Sequence, residues 1–257
     1  MQVATFNCNS VRRRLDVILH WLAVHNPDVL ALQETKVQDH DFPEDAFLDA
    51  GWNVYFRGQK AYNGVAMITR DPVEYVSFGL QDDDGESASR LAHVTCGETA
   101  IVNTYVPQGS ELGSPKFAFK LEWFTRLRRY FTERFEPTRD RVLWIGDLNV
   151  APTPADVYDS QKVWPHLCHC QEVIDAFRAV TDWGFHDIFR KHLPESGRFT
   201  FWDYRLRNAV ENGLGWRIDH VLGTQSMTDA SVSCDIDVES RLQKGSSDHT
   251  FVTASFR

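Results

Sequence analysis

Apolar positions along the chain fall into two periods. In residues 13–25, Leu15, Ile18, Leu19 and Leu22 recur at i, i+3, i+4 and i+7, the spacing that gathers side chains on one face of a helix. The same period predicts helices over 116–135 and 170–183. Between them lie short runs rich in β-branched and aromatic residues, predicted as strands over 3–6, 29–32, 54–56, 65–69, 91–95, 100–105, 142–145, 218–222 and 251–256. Strands outnumber helices and alternate with them irregularly, which argues for a mixed-sheet α/β protein rather than a regular doubly wound parallel sheet. No Gly/Ser-rich or Pro-rich linker and no short-period repeat divides the chain, so a single domain over 1–257 is the economical reading.

What marks these strands is how they end. The apolar run Trp144-Ile145-Gly146 leads into Asp147-Leu148-Asn149, two short polar side chains one residue apart, and residues two apart on extended chain point the same way. Taken alone, such a pair is ordinary Asx-turn chemistry. Other segments end similarly, however. The first strand ends at Asn7 and Asn9, and the second runs into Gln33-Glu34-Thr35-Lys36. Asn103-Thr104-Tyr105-Val106-Pro107-Gln108-Gly109 brings a phenol and an amide to a turn. Arg217-Ile218-Asp219-His220 places an acid in an otherwise apolar strand, where an unpaired carboxylate is costly. Ser247-Asp248-His249, just before the last strand, offers it a partner: a histidine held by a carboxylate is oriented in one tautomer and made more basic.

Collected, these ends hold Asn7, Glu34, Tyr105, Asp147, Asn149, Asp219, Asp248 and His249. Hard oxygen donors of this kind suit Mg²⁺, with Mn²⁺ as a substitute, ions that keep waters and substrate phosphates among their ligands. The chain has no Gly-x-x-x-x-Gly-Lys loop, no Gly-x-Ser-x-Gly elbow and no dinucleotide fingerprint. The implied chemistry is metal-assisted hydrolysis of a phosphate ester.

The net charge of −9 runs against a nucleic-acid partner, because phosphate contacts are made mainly by Lys and Arg. Its distribution reopens the question. Acidic residues crowd Asp82-Asp83-Asp84, Glu86 and the 39–49 region, while Arg12-Arg13-Arg14, Arg126 with Arg128 and Arg129, and Arg205 with Arg207 form basic clusters. A run such as Arg126 to Arg129 is more often the solvated face of a helix than a binding patch. Five cysteines, an odd and scattered number, fit reduced thiols better than a disulfide framework. His166-Leu167-Cys168-His169-Cys170 invites a zinc site but lacks a second ligand pair at zinc spacing. No apolar run approaches the ~18 residues of a membrane span, and the first residues read as a strand rather than a signal peptide. A cytoplasmic location without a membrane partner is therefore expected.

In order, Asn7, Gln33-Glu34-Thr35-Lys36, Asn63-Gly64-Val65-Ala66, Asn103 to Gly109, Gly146-Asp147-Leu148-Asn149, Arg217-Ile218-Asp219 and Ser247-Asp248-His249 resemble the motifs of the exonuclease III family of abasic-site endonucleases. The wider superfamily shares the Glu, Asp-x-Asn and Asp-His parts, whereas Gln-Glu-Thr-Lys and Val-Pro-Gln-Gly point to its DNA-repair branch. The resemblance implies a four-layered α/β sandwich with two mixed β-sheets flanked by helices. It also implies a monomeric Mg²⁺-dependent enzyme acting on duplex DNA that contains abasic sites or 3′ ends. Such an enzyme would cut on the 5′ side of the abasic site and have 3′→5′ exonuclease and 3′-phosphodiesterase side activities.

By the same resemblance, Glu34 is the main metal ligand, Asn7 a second ligand or a support, and Asn9 and Asp248 weaker ligands. Asp147 orients or deprotonates the attacking water, and Asn149 holds it or a phosphate oxygen. His249, steered by Asp219, binds a phosphoryl oxygen, Tyr105 assists the phosphate or the leaving oxygen, and Gln108 contacts a neighbouring phosphate. A base-less sugar is small and fairly apolar, so a pocket of Phe201, Trp216 and Ile218 beside Asp219 suits it, and these positions resemble the family's abasic-site pocket. Arg205 is the candidate wedge into the duplex, and Arg12, Lys36, Lys60 and Lys116 are candidate phosphate contacts. Ser10 and Phe251 depart from the residues common in the family at those positions. Two alternatives remain open: a phosphatase or nuclease of other specificity, and a non-catalytic DNA-binding member.

Overall fold

Two β-α-β units, one in each sheet, organise the chain, and the computed structural model describes residues 1–80 and 87–257. The acidic run Asp82-Asp83-Asp84 with Glu86 lies outside the described residues. β1 (Gln2–Asn7) passes through α1 (Val11–His25) to a parallel β2 (Val29–Gln33), and α2 (Glu44–Asp49), β3 (Asn53–Arg57) and β4 (Val65–Thr69) follow. β5 (Tyr75–Phe78), β6 (Leu91–Cys96) and β7 (Thr99–Tyr105) open the second sheet, and β7 passes through α3 (Pro115–Arg134) to a parallel β8 (Arg141–Asp147). Then come α4 (Ser160–Val163), α5 (Gln171–Thr181), β9 (His186–Asp187), α6 (Ile188–His192), β10 (Asp219–Gly223) and α7 (Gln225–Ala230). β11 (Ser231–Ile236), α8 (Val238–Leu242) and β12 (Val252–Phe256) return to the first sheet. The sheet orders are β11-β12-β1-β2-β4-β3 and β5-β6-β7-β8-β10-β9, each mixed, with the β-α-β pair parallel and its other pairs antiparallel.

The patterning explains the layers. In β8, Val142 and Trp144 face α3 and α5, while Leu143 and Ile145 face the other sheet; both sides are apolar because both are covered. α3 is capped by Ser114, whose Oγ accepts the Phe117 N–H at 3.2 Å, with Pro115 in the first turn. Its Phe124, Leu127 and Phe131 pack with Phe177 of α5 over Trp144. On the other side, Ile18, Trp21 and Leu22 of α1 cover Ala4, Phe6, Leu30 and Leu32. Between the sheets, Val3, Ala31 and Met67 meet Ala92, Ile101 and Ile145. The result is helix, sheet, sheet, helix: the expected four-layered sandwich. Phe251 has a packing role, stacking on Phe6 at 3.9 Å and on Trp21 at 4.2 Å.

Three strands escaped the periodicity. β11 reads Ser-Val-Ser-Cys-Asp-Ile, an edge strand whose polar positions hide it, β9 has 2 residues, and β5 is an exposed edge with Tyr75 and Val76 turned outward. The 199–204 aromatic segment forms no named strand; Phe201 makes isolated bridges to Trp216 and to His249. All five cysteines are free thiols. No described helix is long and apolar enough to cross a membrane.

Candidate active site

Register alone assembles the second sheet's share of the site. Tyr105 pairs with Asp147 across parallel β7 and β8, and Asp147 pairs with Asp219 across antiparallel β8 and β10, so three strand ends place these side chains in adjoining positions. Gly146 makes this possible. Its φ is +131°, and a Cβ there would meet the Thr104 carbonyl oxygen at 2.1 Å, so only glycine lets β8 run this close to β7 before Asp147. The first sheet contributes Asn7 at the end of β1 and Glu34 immediately after β2. Glu34 is held at φ +53°, a region that disfavours glutamate, so the backbone carries strain where it presents this carboxylate.

Asn7 joins the two halves. Its Nδ2 donates to Glu34 Oε1 at 2.9 Å and to Asp147 Oδ2 at 2.8 Å, while its Oδ1 accepts the Asn9 N–H at 3.0 Å. The oxygen expected as a possible metal ligand is therefore turned away from the carboxylates, and the amide N–H groups face them. Behind it, Gln33 Nε2 donates to Asn103 Oδ1 at 2.7 Å, a second polar link between the sheets. Asp147 Oδ1 accepts the Asn149 N–H at 3.0 Å, and Asn149 Nδ2 donates to Val106 O at 3.0 Å. The Asx turn legible in the sequence and the Asp147-x-Asn149 pair are thus the same structure. Asp219 and His249 also meet, with Nδ1 at 2.8 Å and 3.1 Å from the two carboxylate oxygens, which turns Nε2 toward Asp147 Oδ2 at 3.9 Å.

These contacts set the charge states. Burial pushes the Asp147 carboxyl up to about 7, and Asp219 and Glu34 add to this while His249 and the Asn7 amide oppose it. For His249, burial favours the neutral ring, but Asp219, with Asp147 and Asp248, overcomes it and raises the pKa to about 10. At neutral pH His249 is therefore an imidazolium whose Nε2–H faces the cavity. Burial, reinforced by Glu34 and Asp147, holds Tyr105 far above the usual phenol range, so it is an O–H donor rather than a phenolate. Glu34 is lowered: burial works against ionisation, but Lys36 and the Asn7 amide outweigh it.

The His249 shift carries a stability consequence. A folded-state pKa raised from 6.5 to about 10 contributes stability that is complete below 6.5 and is lost as pH rises toward 10. The Tm difference between the wild type and Asp219→Asn should accordingly be largest near pH 6 and shrink as pH climbs, as followed by thermal melts across pH; a difference that grows with pH would be inconsistent with a charged His249.

A cavity of about 360 Å³ opens over this array, lined by Glu34, Tyr105, Gln108, Asp147, Asn149, Asp248 and His249 among others. Leaving aside the Asp203–Arg205 ion pair, four carboxylates (Glu34, Asp147, Asp219 and Asp248) face two cationic groups, Lys36 and His249. That excess of acidic over basic groups, with Asp147 partly protonated near neutrality, suits a divalent cation. Hard oxygens also already converge on a positive centre: the Lys36 ammonium lies 2.6 Å from Glu34 Oε2 and 2.5 Å from Asn9 Oδ1, and Asn9 Nδ2 in turn holds Asp248 Oδ1 at 2.9 Å. The donor set fits Mg²⁺ or Mn²⁺.

A family profile matches residues 4–249, a span that includes all of these strand ends: the Endonuclease/Exonuclease/phosphatase family. The chain belongs to it. Within the family it falls in the branch of exonuclease III and the AP endonucleases. An exodeoxyribonuclease III from Haemophilus influenzae is 29% identical over 269 residues, covering 100% of each protein. An AP endonuclease structure from Archaeoglobus fulgidus is 40% identical with a TM-score of 0.96, over 100% of this chain and 99% of that one. NExo from Neisseria meningitidis, described as a 3′-5′ exonuclease, is 37% identical with a TM-score of 0.93 over 100% and 99%. A further structure of NExo from Neisseria is described as a 3′ phosphatase bound to a product DNA hairpin.

In this family member a second pocket, of about 290 Å³, adjoins the first and shares Gln108, Phe201, Asp203, Arg205 and Ile218 with it. Trp216 lines its far wall, with the His166 ring packed 4.6 Å away and Tyr158 nearby. His166 thus lines the pocket, and its Nδ1 accepts the Cys168 N–H at 3.2 Å. His169 is committed as well, to Ser160 Oγ at 2.8 Å and Ala151 O at 2.7 Å, and the metal-competent acid and histidine group among the described residues is Asp147, Asp219 and His249. Arg205 stands at the rim of both pockets, its side chain 88% exposed and paired with Asp203 at 2.6 Å. Sequence reasoning missed His166, Tyr158 and Tyr204 in these walls. His166 draws notice only within the zinc-like run 166–170, and Tyr204 stands in the aromatic-rich stretch 199–204.

Proposed function

We propose that this chain is a divalent-metal-dependent DNA-repair nuclease that hydrolyses the phosphodiester 5′ of abasic sites in duplex DNA and also processes 3′ ends. The observation that carries the reading is the adjacency of two pockets. One is acidic, with Asp147 and an imidazolium facing each other; the other is walled by Phe201, Trp216 and Ile218, and they share a rim. A phosphate in the first would place a flanking sugar at the second.

Glu34, with Asp248 and Asn9 or Asn7 in support, would hold the cation, which when bound supplies charge neutralisation and an activated water. Asp147 accepts the water's proton or orients the water, as a carboxylate whose pKa lies near neutrality. Asn149 fixes the same water or a phosphate oxygen. His249 donates from Nε2 to a phosphoryl oxygen as charge develops, with Asp219 fixing the ring. Tyr105, kept protonated, donates to the phosphate or the leaving oxygen.

The test compares a duplex bearing one abasic analogue with a matched duplex bearing a 3′-phosphate at a nick. Trp216→Ala should lower abasic-site incision roughly tenfold or more, the scale of one lost pocket contact, and change 3′-phosphate removal far less. Equal losses on both substrates would deny Trp216 a role in selection. A second reading, in which 3′-end processing dominates, is favoured by the similarity to NExo. It wins if the wild type cleans 3′ ends but leaves the abasic duplex intact.

A further inference from the structure

Lys120 lies on the buried face of α3, beside Phe117, Trp123 and Phe124, with 0% exposure. An ammonium has three N–H donors and no acceptor, and each donor here meets a backbone carbonyl: Leu167 O at 2.6 Å, Asn149 O at 2.7 Å and Gln108 O at 3.3 Å. Among the described residues no carboxylate forms an ion pair with it; burial lowers its pKa, while the nearby Asp147 charge works the other way and favours the ammonium. Burying a charge this way is expensive, and a hydrocarbon would pack more cheaply against the aromatic face of α3. The three carbonyls explain the choice. They come from three separate segments, which follow β7, follow β8 and precede α5, and they converge on one point. A single tetrahedral donor satisfies all three from one point, whereas a guanidinium spreads its donors over a plane.

Each segment carries site groups. Gln108 and Asn149 line the acidic cavity, while His166 and Cys168, on either side of Leu167, line the aromatic pocket. Cys168 Sγ also lies 3.8 Å from Asn149 Oδ1, so the two segments touch at the site itself. We propose that Lys120 is a positioning residue, holding the segments of Asn149, Gln108 and His166 in the one arrangement that keeps the phosphate side and the sugar side of the cleft in register. It touches no substrate and acts through those three. The proposal rests on the nuclease reading above.

The two claims fail differently: absence of Mg²⁺-dependent cleavage by the wild type defeats the nuclease reading, whereas the variants below address Lys120. Lys120→Met keeps the length of the side chain and removes all three donors. Leu127→Ala, on the same helix face but remote from the carbonyls, controls for loss of stability. Both are assayed well below their melting temperatures on the abasic-analogue duplex. Misplacing reacting groups by about an ångström costs on the order of 10²-fold, so kcat for Lys120→Met should fall by roughly that factor with a much smaller change in KM, while Leu127→Ala keeps its kcat. A Lys120→Met kcat within threefold or so of the Leu127→Ala value overturns the proposal. If Lys120→Met does not fold, Lys120→Gln, which retains an amide with two donors, decides: a kcat reduced about tenfold or more supports positioning, and a wild-type kcat refutes it.

Discussion

Asp147→Asn is expected to lower phosphodiester hydrolysis by roughly 10²–10⁴-fold, the range for removing a positioned proton acceptor, while duplex binding persists and Tm does not fall. Asp147 is 1% exposed, receives the Asn7 amide at 2.8 Å and stands 3.9 Å from His249 Nε2. The substitution keeps the shape and removes the basic oxygen, at the cost of setting an amide N–H against the Asn7 or Asn149 donor. Loss of activity and stability separate here because the native carboxylate is costly to hold. With its pKa raised from 3.8 to about 7, its ionisation weakens the fold progressively across that interval and fully above it, so replacing it relieves the fold at pH 8. Rapid-quench assays, filter binding and a thermal melt on the same preparation would check all three. An inactive variant that melts well below the wild type would attribute the loss to unfolding.

Arg217→Met is expected to have the largest effect on stability. The Arg217 side chain is 1% exposed and donates from Nε to Asp156 Oδ1 at 2.6 Å and from Nη2 to Asp187 Oδ2 at 2.7 Å, with Nη1 3.2 Å from His220 Nδ1. Asp156 is 0% exposed and also receives Arg190 and the Thr153 hydroxyl. Burial opposes its ionisation, yet Arg217 beside it holds the carboxyl far below the usual range. Removing one partner from a buried pair strands the other, at about 3–5 kcal/mol. Arg190 remains, which points to the lower end. At ~2–4 °C per kcal/mol for a chain of this size, Tm should drop by roughly 10 °C. Because the Asp156 pKa is depressed, this contribution is present above the unfolded value of 3.8 and fades in acid, so the wild type and the variant should converge as pH falls. A shift of under about 2 °C at pH 7 would show that the network is not needed for stability.

How much of this was legible depends on the residue. α1, α3 and α5 and the central strands were readable because they are covered on defined faces, which imprints a period on the sequence. β11 was not, since an edge strand of Ser, Cys and Asp carries little period, and β9 has 2 residues. The site's carboxylates and histidine were visible as polar ends to apolar runs. Their meeting was not, because Asn7 and Asp147 are 140 residues apart and only the packing of one sheet on the other joins them. Lys120 left no trace at all: a lysine within a helical pattern reads as solvated, and only three converging carbonyls reveal why it is buried. The pairing of Asp219 with His249 was anticipated from the cost of an unpaired acid, an argument that needs no geometry.

The central claim is that hydrolysis is assisted by a divalent cation and depends on Asp147. Single-turnover incision of a duplex carrying one abasic analogue, in Mg²⁺ and in EDTA, with the wild type and with Asp147→Asn, tests it most directly. The predicted result is cutting by the wild type in Mg²⁺, its loss in EDTA and its return on excess Mg²⁺, with Asp147→Asn nearly inactive throughout. Cutting that persists in EDTA, or that survives the substitution undiminished, would contradict it.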